Sequence, residues 1–273
     1  MRRISVFACC FVILFASLCL CSCSSSATTV FVDVIAIGKA DCILIRTGTK
    51  TVMIDTGEEE DVANIIDYLE AKNIETIDML ILSHFDKDHI GGAAELISSY
   101  GITTVLETSF SSNRDEYDAY HTVLKDQGLN ATILTEDYTF TYDACSFTVY
   151  VPKETSYSTK EDNNASLIVA MEYGEKRFLF CGDAMELRLA EFLADSPGMF
   201  DFVKLPYHGN YLENYTDFLS EVSPEYGVIT CSNKNPSADK TIELLAEYGV
   251  KVYETKNGSV SLETDGNMLR ISQ

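Results

Sequence analysis

The run Ile81-Leu82-Ser83-His84-Phe85-Asp86-Lys87-Asp88-His89-Ile90-Gly91-Gly92 constrains this chain more than any other stretch. The apolar residues from Met79 to Leu82 stop abruptly, and His84, Asp86, Asp88 and His89 follow, then a double glycine. A buried strand that runs out of a sheet edge and turns into a helix has this pattern. On extended backbone alternate side chains point the same way, so His84, Asp86 and Asp88 can converge, and the turn brings His89 to them. The plain alternative is a capped turn, with Asp88 capping the helix that begins after it.

Two later strand ends shift the balance towards a metal site. Residues 177–184 place Asp183 just after an apolar strand, and residues 202–209 do the same for His208. Three strand ends, each finishing in a ligand-type side chain, suit a site assembled at one edge of a sheet. The wider pattern agrees. Strand signals fall at residues 30–37, 42–47 and 51–54, and Val62, Ile65, Ile66 and Leu69 space a helix over 60–72. A strand at 79–82 and a helix at 92–99 follow, then a strand at 105–106, a helix at 113–127 and strands at 132–134 and 147–151. The second half predicts strands at 167–173 and 177–181, a helix at 186–194, and strands at 202–205 and 228–231. A helix at 238–248 and strands at 251–255 and 259–263 complete it. Hairpin strands followed by strands mixed with helices, twice over, predict an α/β (α+β) fold. Its form is an αββα sandwich of two mixed β-sheets flanked by helices. His121, on a polar helix, reads as a surface or capping residue.

The N-terminus is a separate matter. Met1-Arg2-Arg3 and the apolar run from Ile4 to Leu20 have the layout of a secretory signal. Leu20-Cys21-Ser22-Cys23 resembles a bacterial lipobox, with Cys23 as the expected lipidated residue. Residues 1–23 are then a signal peptide, 24–29 a tether, and 30–273 a single domain lipid-anchored to the outer face of the cytoplasmic membrane. An uncleaved anchor is the alternative, since roughly 17–25 apolar residues span a bilayer. Outside this leader the cysteines are Cys42, Cys145, Cys181 and Cys231, without CxxC spacing. They read as small buried hydrophobes, although secretion would permit a disulfide. Cys181 is close enough in sequence to Asp183 to touch the site.

The formal charge is −22, and loss of the two leader arginines makes the domain about −24. Nucleic-acid binders usually carry a basic stripe, and none is present. Extended nucleic acid is therefore disfavoured, though not excluded, and a small phosphodiester or similar compact substrate fits better. No protein partner is predicted.

The chain resembles metallo-β-lactamase-fold hydrolases, in the branch typified by the hydrolase domain of the competence DNA-uptake protein ComEC. The residues that carry the resemblance run in a consistent order. Gly38-Lys39-Ala40-Asp41 precedes Ile43-Leu44-Ile45, followed by Met53-Ile54-Asp55-Thr56-Gly57 and the run from Ser83 to Gly92. Asn163-Asn164-Ala165-Ser166-Leu167, Cys181-Gly182-Asp183, Leu205-Pro206-Tyr207-His208-Gly209 and Thr255…Asn257-Gly258 complete the series. The resemblance implies a two-metal centre, with His84 and Asp86 on one ion, Asp88, His89 and His208 on the other, and Asp183 bridging. Asp88, Asp183 and His208 are the expected catalytic residues, and Asp55 would orient a ligand from behind. Asn164 and Ser166 would complete the first site or meet the substrate, and Tyr207 would also contact it. Lys204 reads as ordinary strand packing.

Departures from the family pattern matter too. Asp86 stands where most members have histidine, and Asn164 and Ser166 stand where another is common. A first site rich in oxygen suits hard ions such as Mn²⁺ or Mg²⁺, so the expected cofactors are two divalent ions, Zn²⁺ or Mn²⁺. Lys39-Ala40 replaces the branch's Gln-Gly, and Ala36-Ile37 lacks its acidic residue. The resulting expectation is a metal-dependent phosphodiesterase or nuclease-like enzyme. The rivals are a hydrolase of small esters, amides or lactones, and a non-catalytic surface lipoprotein retaining the fold.

Overall fold

The computed structural model describes residues 28–273. The leader through Cys23, and most of the tether, lie outside the described residues. Among the described residues fifteen strands form two sheets. The first half supplies β1 (Val30–Val34), β2 (Ile43–Arg46), β3 (Thr51–Ile54), β4 (Met79–Leu82), β5 (Val105–Thr108) and β6 (Thr132–Leu134). The second half begins with β7 (Tyr138–Tyr142), β8 (Cys145–Tyr150), β9 (Ile168–Tyr173) and β10 (Lys176–Phe180). β11 (Phe202–Lys204), β12 (Tyr226–Ile229), β13 (Lys251–Glu254), β14 (Val260–Thr264) and β15 (Leu269–Ser272) follow.

One sheet has the order β15-β14-β1-β2-β3-β4-β5-β6 and the other β13-β12-β11-β10-β9-β8-β7. Each half repeats one plan. Antiparallel hairpins β1-β2-β3 lead into parallel β4, β5 and β6. Antiparallel β7-β8-β9-β10 lead into parallel β11, β12 and β13. The chain then returns β14 and β15 to the first sheet, with β14 antiparallel to β1.

The helices are α1 (Val62–Ala71), α2 (Lys87–Ile90), α3 (Ala93–Ser99), α4 (Asp115–Asp126), α5 (Glu161–Asn164), α6 (Glu186–Ala194), α7 (Tyr215–Val222) and α8 (Asp239–Glu247). Three apolar layers hold the elements together. Val32, Ile45, Ile54 and Ile81 meet Phe147, Met171, Phe178 and Phe202 between the sheets. Leu44, Met53 and Leu80 pack under Ile65, Leu69 and Leu96 on one outer face. Leu179 and Val203 pack under Leu189, Phe192, Phe218 and Leu245 on the other. Parallel strands covered on both faces must be apolar throughout, and Met79 to Leu82 are all buried. The molecule is the expected αββα sandwich.

The elements that the sequence pattern leaves out are β7, β15, α7 and the four-residue helices α2 and α5. His121 on α4 is only half a surface residue. It packs on Tyr117, and its Nε2 lies 3.8 Å from the buried Glu107 carboxylate. The four described cysteines are buried and free.

Candidate metal centre

The repeated plan brings four loops to one end of the sandwich. The segment after β3 carries Asp55, that after β4 carries His84 to His89, that after β10 carries Asp183, and that after β11 carries His208. His84, His89, Asp183 and His208 are buried at 2% exposure or less. Their approach depends on backbone that bulky residues resist. A Cβ on Gly92 would sit 2.3 Å from the Thr56 carbonyl oxygen, so glycine lets α2 and α3 close on the β3 turn. There Thr56 donates its N–H to the His89 carbonyl at 2.7 Å. His208 is presented by a left-handed run, Tyr207 (φ 49°), His208 (φ 52°) and Gly209 (φ 70°). Non-glycine residues hold such conformations only where surrounding contacts impose them.

Hydrogen bonding sets the tautomer of each imidazole. Ser83 donates its hydroxyl to Asp55 Oδ2 at 2.7 Å, so it can only accept from His84 Nδ1, 3.0 Å away. His89 Nδ1 lies 2.8 Å from Asp55 Oδ2 and donates to it. Thr230 donates to Asp41 Oδ1 at 2.6 Å and therefore accepts from His208 Nδ1 at 2.9 Å. A hydroxyl has a single proton, so all three rings carry hydrogen on Nδ1 and turn Nε2 inward. His89 Nε2 and His208 Nε2 are 3.4 Å apart. Asp183 lies between them, 3.3 Å from His89 Nε2 and 3.1 Å from His208 Nε2, and Asp88 Oδ2 is 3.4 Å from His208 Nε2.

Two donor groups emerge with mutual spacings within 4.8 Å: His84, His89 and Asp183; and Asp88, His89 and His208. Asp41 and Asp55 meet the same spacing with their neighbours, but their oxygens are already committed to Lys204, Thr230, Ser83 and His89. They support the donors. His84 Nε2 and Asp183 Oδ1 are buried and make no hydrogen bond, an arrangement that costs free energy unless a ligand completes it. Converging imidazole nitrogens and carboxylate oxygens with two orphaned atoms fit a divalent metal.

Electrostatics follow the same geometry. Burial and the neighbouring His89 hold the His84 ring well below its ordinary pKa, leaving it neutral. Burial opposes charge on Asp183, yet His208 and His89 keep it well below the usual carboxylate range. Burial likewise opposes protonation of His89 and His208, but the Asp183 charge raises both. Asp88 is lowered by His208 and His89 against the burial that would raise it.

Several expected residues take other places. Asn164 does not face the donors: its amide bonds the Thr159 carbonyl at 3.0 Å and accepts the Arg188 N–H at 3.1 Å. Its neighbour Asn163 reaches Asp183 Oδ2 at 3.3 Å instead, because the short turn of α5 points successive side chains apart. Ser166 accepts the Asp183 N–H at 3.2 Å and so braces that loop. Asp86 is near His84 (3.9 Å) but outside both donor groups, drawn outward by Arg114 at 2.5 Å. Lys204 is no ordinary packing residue. Fully buried, it ion-pairs with Asp41 and donates to the Gly182 carbonyl at 3.2 Å. Tyr207 stands half-buried on the His208 turn. Cys181 contributes no donor; burial pushes its thiol up to about 12, so it stays protonated. Asp41, Thr230, Asn163 and Arg114 complete the surroundings; Asp41 and Asn163 lie within stretches that the sequence singled out, whereas Thr230 and Arg114 do not.

Comparison with known proteins agrees with this geometry. The family model of the metallo-beta-lactamase superfamily matches residues 37–141. Recombination protein 2 of Haemophilus influenzae is 27% identical over 244 residues, 86% of this chain and 28% of that protein. ComE operon protein 3 of Bacillus subtilis is 23% identical over 252 residues, 84% of this chain and 32% of that protein. The chain thus spans about a third of the length of these relatives. Among solved structures, the metallo-beta-lactamase fold protein YhfI from Bacillus subtilis gives a TM-score of 0.60 at 12% identity, covering 89% of this chain and 100% of that one. CmlA, a diiron beta-hydroxylase from Streptomyces venezuelae, gives 0.54 at 13% identity, covering 83% of this chain and 52% of that one. Fold, converging donors and sequence relatives agree: the chain is a metallo-β-lactamase-fold, ComEC-like protein.

Proposed function

We propose that this protein is a metal-dependent hydrolase of small phosphodiesters, with a centre for two divalent ions, Zn²⁺ or Mn²⁺. The observation that carries the reading is the convergence of three Nε2 atoms and Asp183 in a buried cluster with two orphaned donors. Asp88, His89 and His208 would hold one ion, His84 and Asp86 the other, and Asp183 would lie between them. Such a pair, when bound, supplies a hydrolytic nucleophile at neutral pH and positive charge for substrate oxygens.

The chain's own residues do the rest. Asp55 and Thr230 hold the Nδ1 protons of His89 and His208, which keeps each ring in the ligating orientation. Lys204 neutralises Asp41 beneath His208 and is too enclosed to reach a substrate. Lys39, one-third exposed and 3.2 Å from Asp88, can meet an anionic group at the rim. A groove of about 440 Å³ lined by Ala36, Gly38, Asn233, Lys256 and Asn257 adjoins that loop and suits a polar substituent.

One relative is named for recombination, and another, of Neisseria gonorrhoeae, is named competence protein ComA, which favours phosphodiesters, while a charge of about −24 favours short ones over long polyanions. The fold alone does not choose the reaction, as the diiron beta-hydroxylase demonstrates. The test is hydrolysis of bis(p-nitrophenyl) phosphate by residues 24–273, metal-stripped and then given Mn²⁺ or Zn²⁺. Metal-dependent release, lost in Asp183→Ala, is the expected result. Two bound metals without release would point to an ester, amide or lactone, and neither metal nor release to a binding scaffold.

We also propose that the protein is lipid-anchored through Cys23 at the outer face of the cytoplasmic membrane. No described helix is long and apolar enough to cross a membrane. Metabolic labelling with a radioactive fatty acid should mark the wild-type protein; labelling that persists in Cys23→Ala would sink this assignment.

A further inference from the structure

Arg114, the residue that opens α4, sets its Nη2 2.5 Å from Asp86 Oδ1 and 3.3 Å from Asp162 Oδ2. Asp86 Oδ2 lies 3.9 Å from His84 Nε2. With His89 assigned to the other ion, the donors left around His84 are its own Nε2, the orphaned Asp183 Oδ1 and, from outside the compact groups, one Asp86 oxygen, a set with a single nitrogen. Asp88, His89, His208 and Asp183 form the richer set, with two nitrogens.

Lys39 makes a similar approach to Asp88 at 3.2 Å, but the two contacts differ in kind. Lysine brings a point charge on a flexible stem, whereas the guanidinium fork is planar and directional. Arg114 spans two carboxylates, and its helix is docked on the metal loop by Tyr117, packed edge-on against Phe85 at 4.7 Å. The guanidinium is thus held in place on Asp86 through Nη2.

Resting on the two-ion reading, we infer that Arg114 is a positioning residue. It pins Asp86 as a one-oxygen, partly neutralised donor, and so keeps the ion beside His84 weakly held while the ion at His89 and His208 stays tight. Two effects act in the same direction. The guanidinium occupies an oxygen that could otherwise face the ion, and its positive charge repels a dication across a short, half-screened gap. Full occupancy of the centre then depends on the supply of free metal.

The experiment is titration of metal-stripped residues 24–273 with Mn²⁺ by calorimetry, with metal content after dialysis as a second readout. Wild type should show two classes of site. Arg114→Gln removes the repelling charge and should tighten the weaker class on the order of tenfold, leaving the tighter one unchanged. Arg114→Lys, which keeps the cation, should retain most of the wild-type difference. Lys39→Gln removes equal charge from the opposite side and should leave the weaker class unchanged. A weaker class unchanged or weakened by Arg114→Gln would overturn the inference, as would equal tightening by Lys39→Gln. No metal uptake by wild type would overturn the two-ion reading itself, a result that these variants cannot mimic.

Discussion

Asp55 uses both carboxylate oxygens, Oδ1 accepting the Ser83 N–H at 2.7 Å and Oδ2 shared between Ser83 Oγ and His89 Nδ1. Asp55→Asn should weaken metal binding by about 10–100-fold with the fold intact, measured by metal titration beside circular dichroism. Lys204 is a different case. Truncating one member of a buried ion pair leaves the other charge uncompensated, at a cost of about 3–5 kcal/mol. Lys204→Met should therefore lower stability by that order in urea unfolding, and Asp41→Asn added to it should recover much of the loss. The contrast shows what was legible. His84, Asp88, His89, Asp183 and His208 each follow an apolar strand, so local pattern exposes them. Asp41, Thr230 and Lys204 act through one another across long stretches of chain, and no local spacing encodes that. One signal was available for Lys204: between Val203 and Leu205 on a strand covered on both faces, a lysine has no route to solvent and must find a buried anion.

At the scale of elements, the loops that carry the donors are held by tight backbone approaches. Gly92→Ala would drive a methyl into the Thr56 carbonyl oxygen, and overpacking of this kind costs about 1–3 kcal/mol. The variant should melt lower than wild type and lose metal affinity together, since α2 carries Asp88 and His89; normal metal content at reduced stability would separate the loop from the site. Interior strands such as β4 and β11 were legible because covering both faces demands unbroken apolar residues. β7 and β15 were not. They are edge strands with half-exposed, mixed side chains, and their pattern resembles any polar loop. Helix α7 did carry a signal, since Tyr215, Phe218, Leu219 and Val222 are buried at helical spacing after Asn214. Asn163 and Asn164 differ by one position on α5, and only the turn geometry decides which of them faces Asp183.

At the scale of the whole molecule, the donors come from both halves, so metal and folding are linked. Ligand at a hundred times its dissociation constant adds about 2.7 kcal/mol to stability, and each kcal/mol raises the melting temperature of a chain this size by roughly 2–4 °C. Metal removal by a chelator should lower the melting temperature by several degrees, and Asp183→Ala should abolish that difference. The acidic surface makes a separate prediction: added salt should raise cleavage of a long single strand relative to a dinucleotide, by screening repulsion.

The repeated plan of the two sheets has one more consequence. β3 and β4 of one half bring Asp55, His84 and His89 to the seam, and β10 and β11 of the other bring Asp183 and His208. A chain opened in the short connection between β6 and β7 would leave each piece with an incomplete set of donors, and each with one face of the shared apolar layer bare. Such pieces amount to a split protein. Metal would act as their cement, and reassembly of the two fragments would report the ion directly.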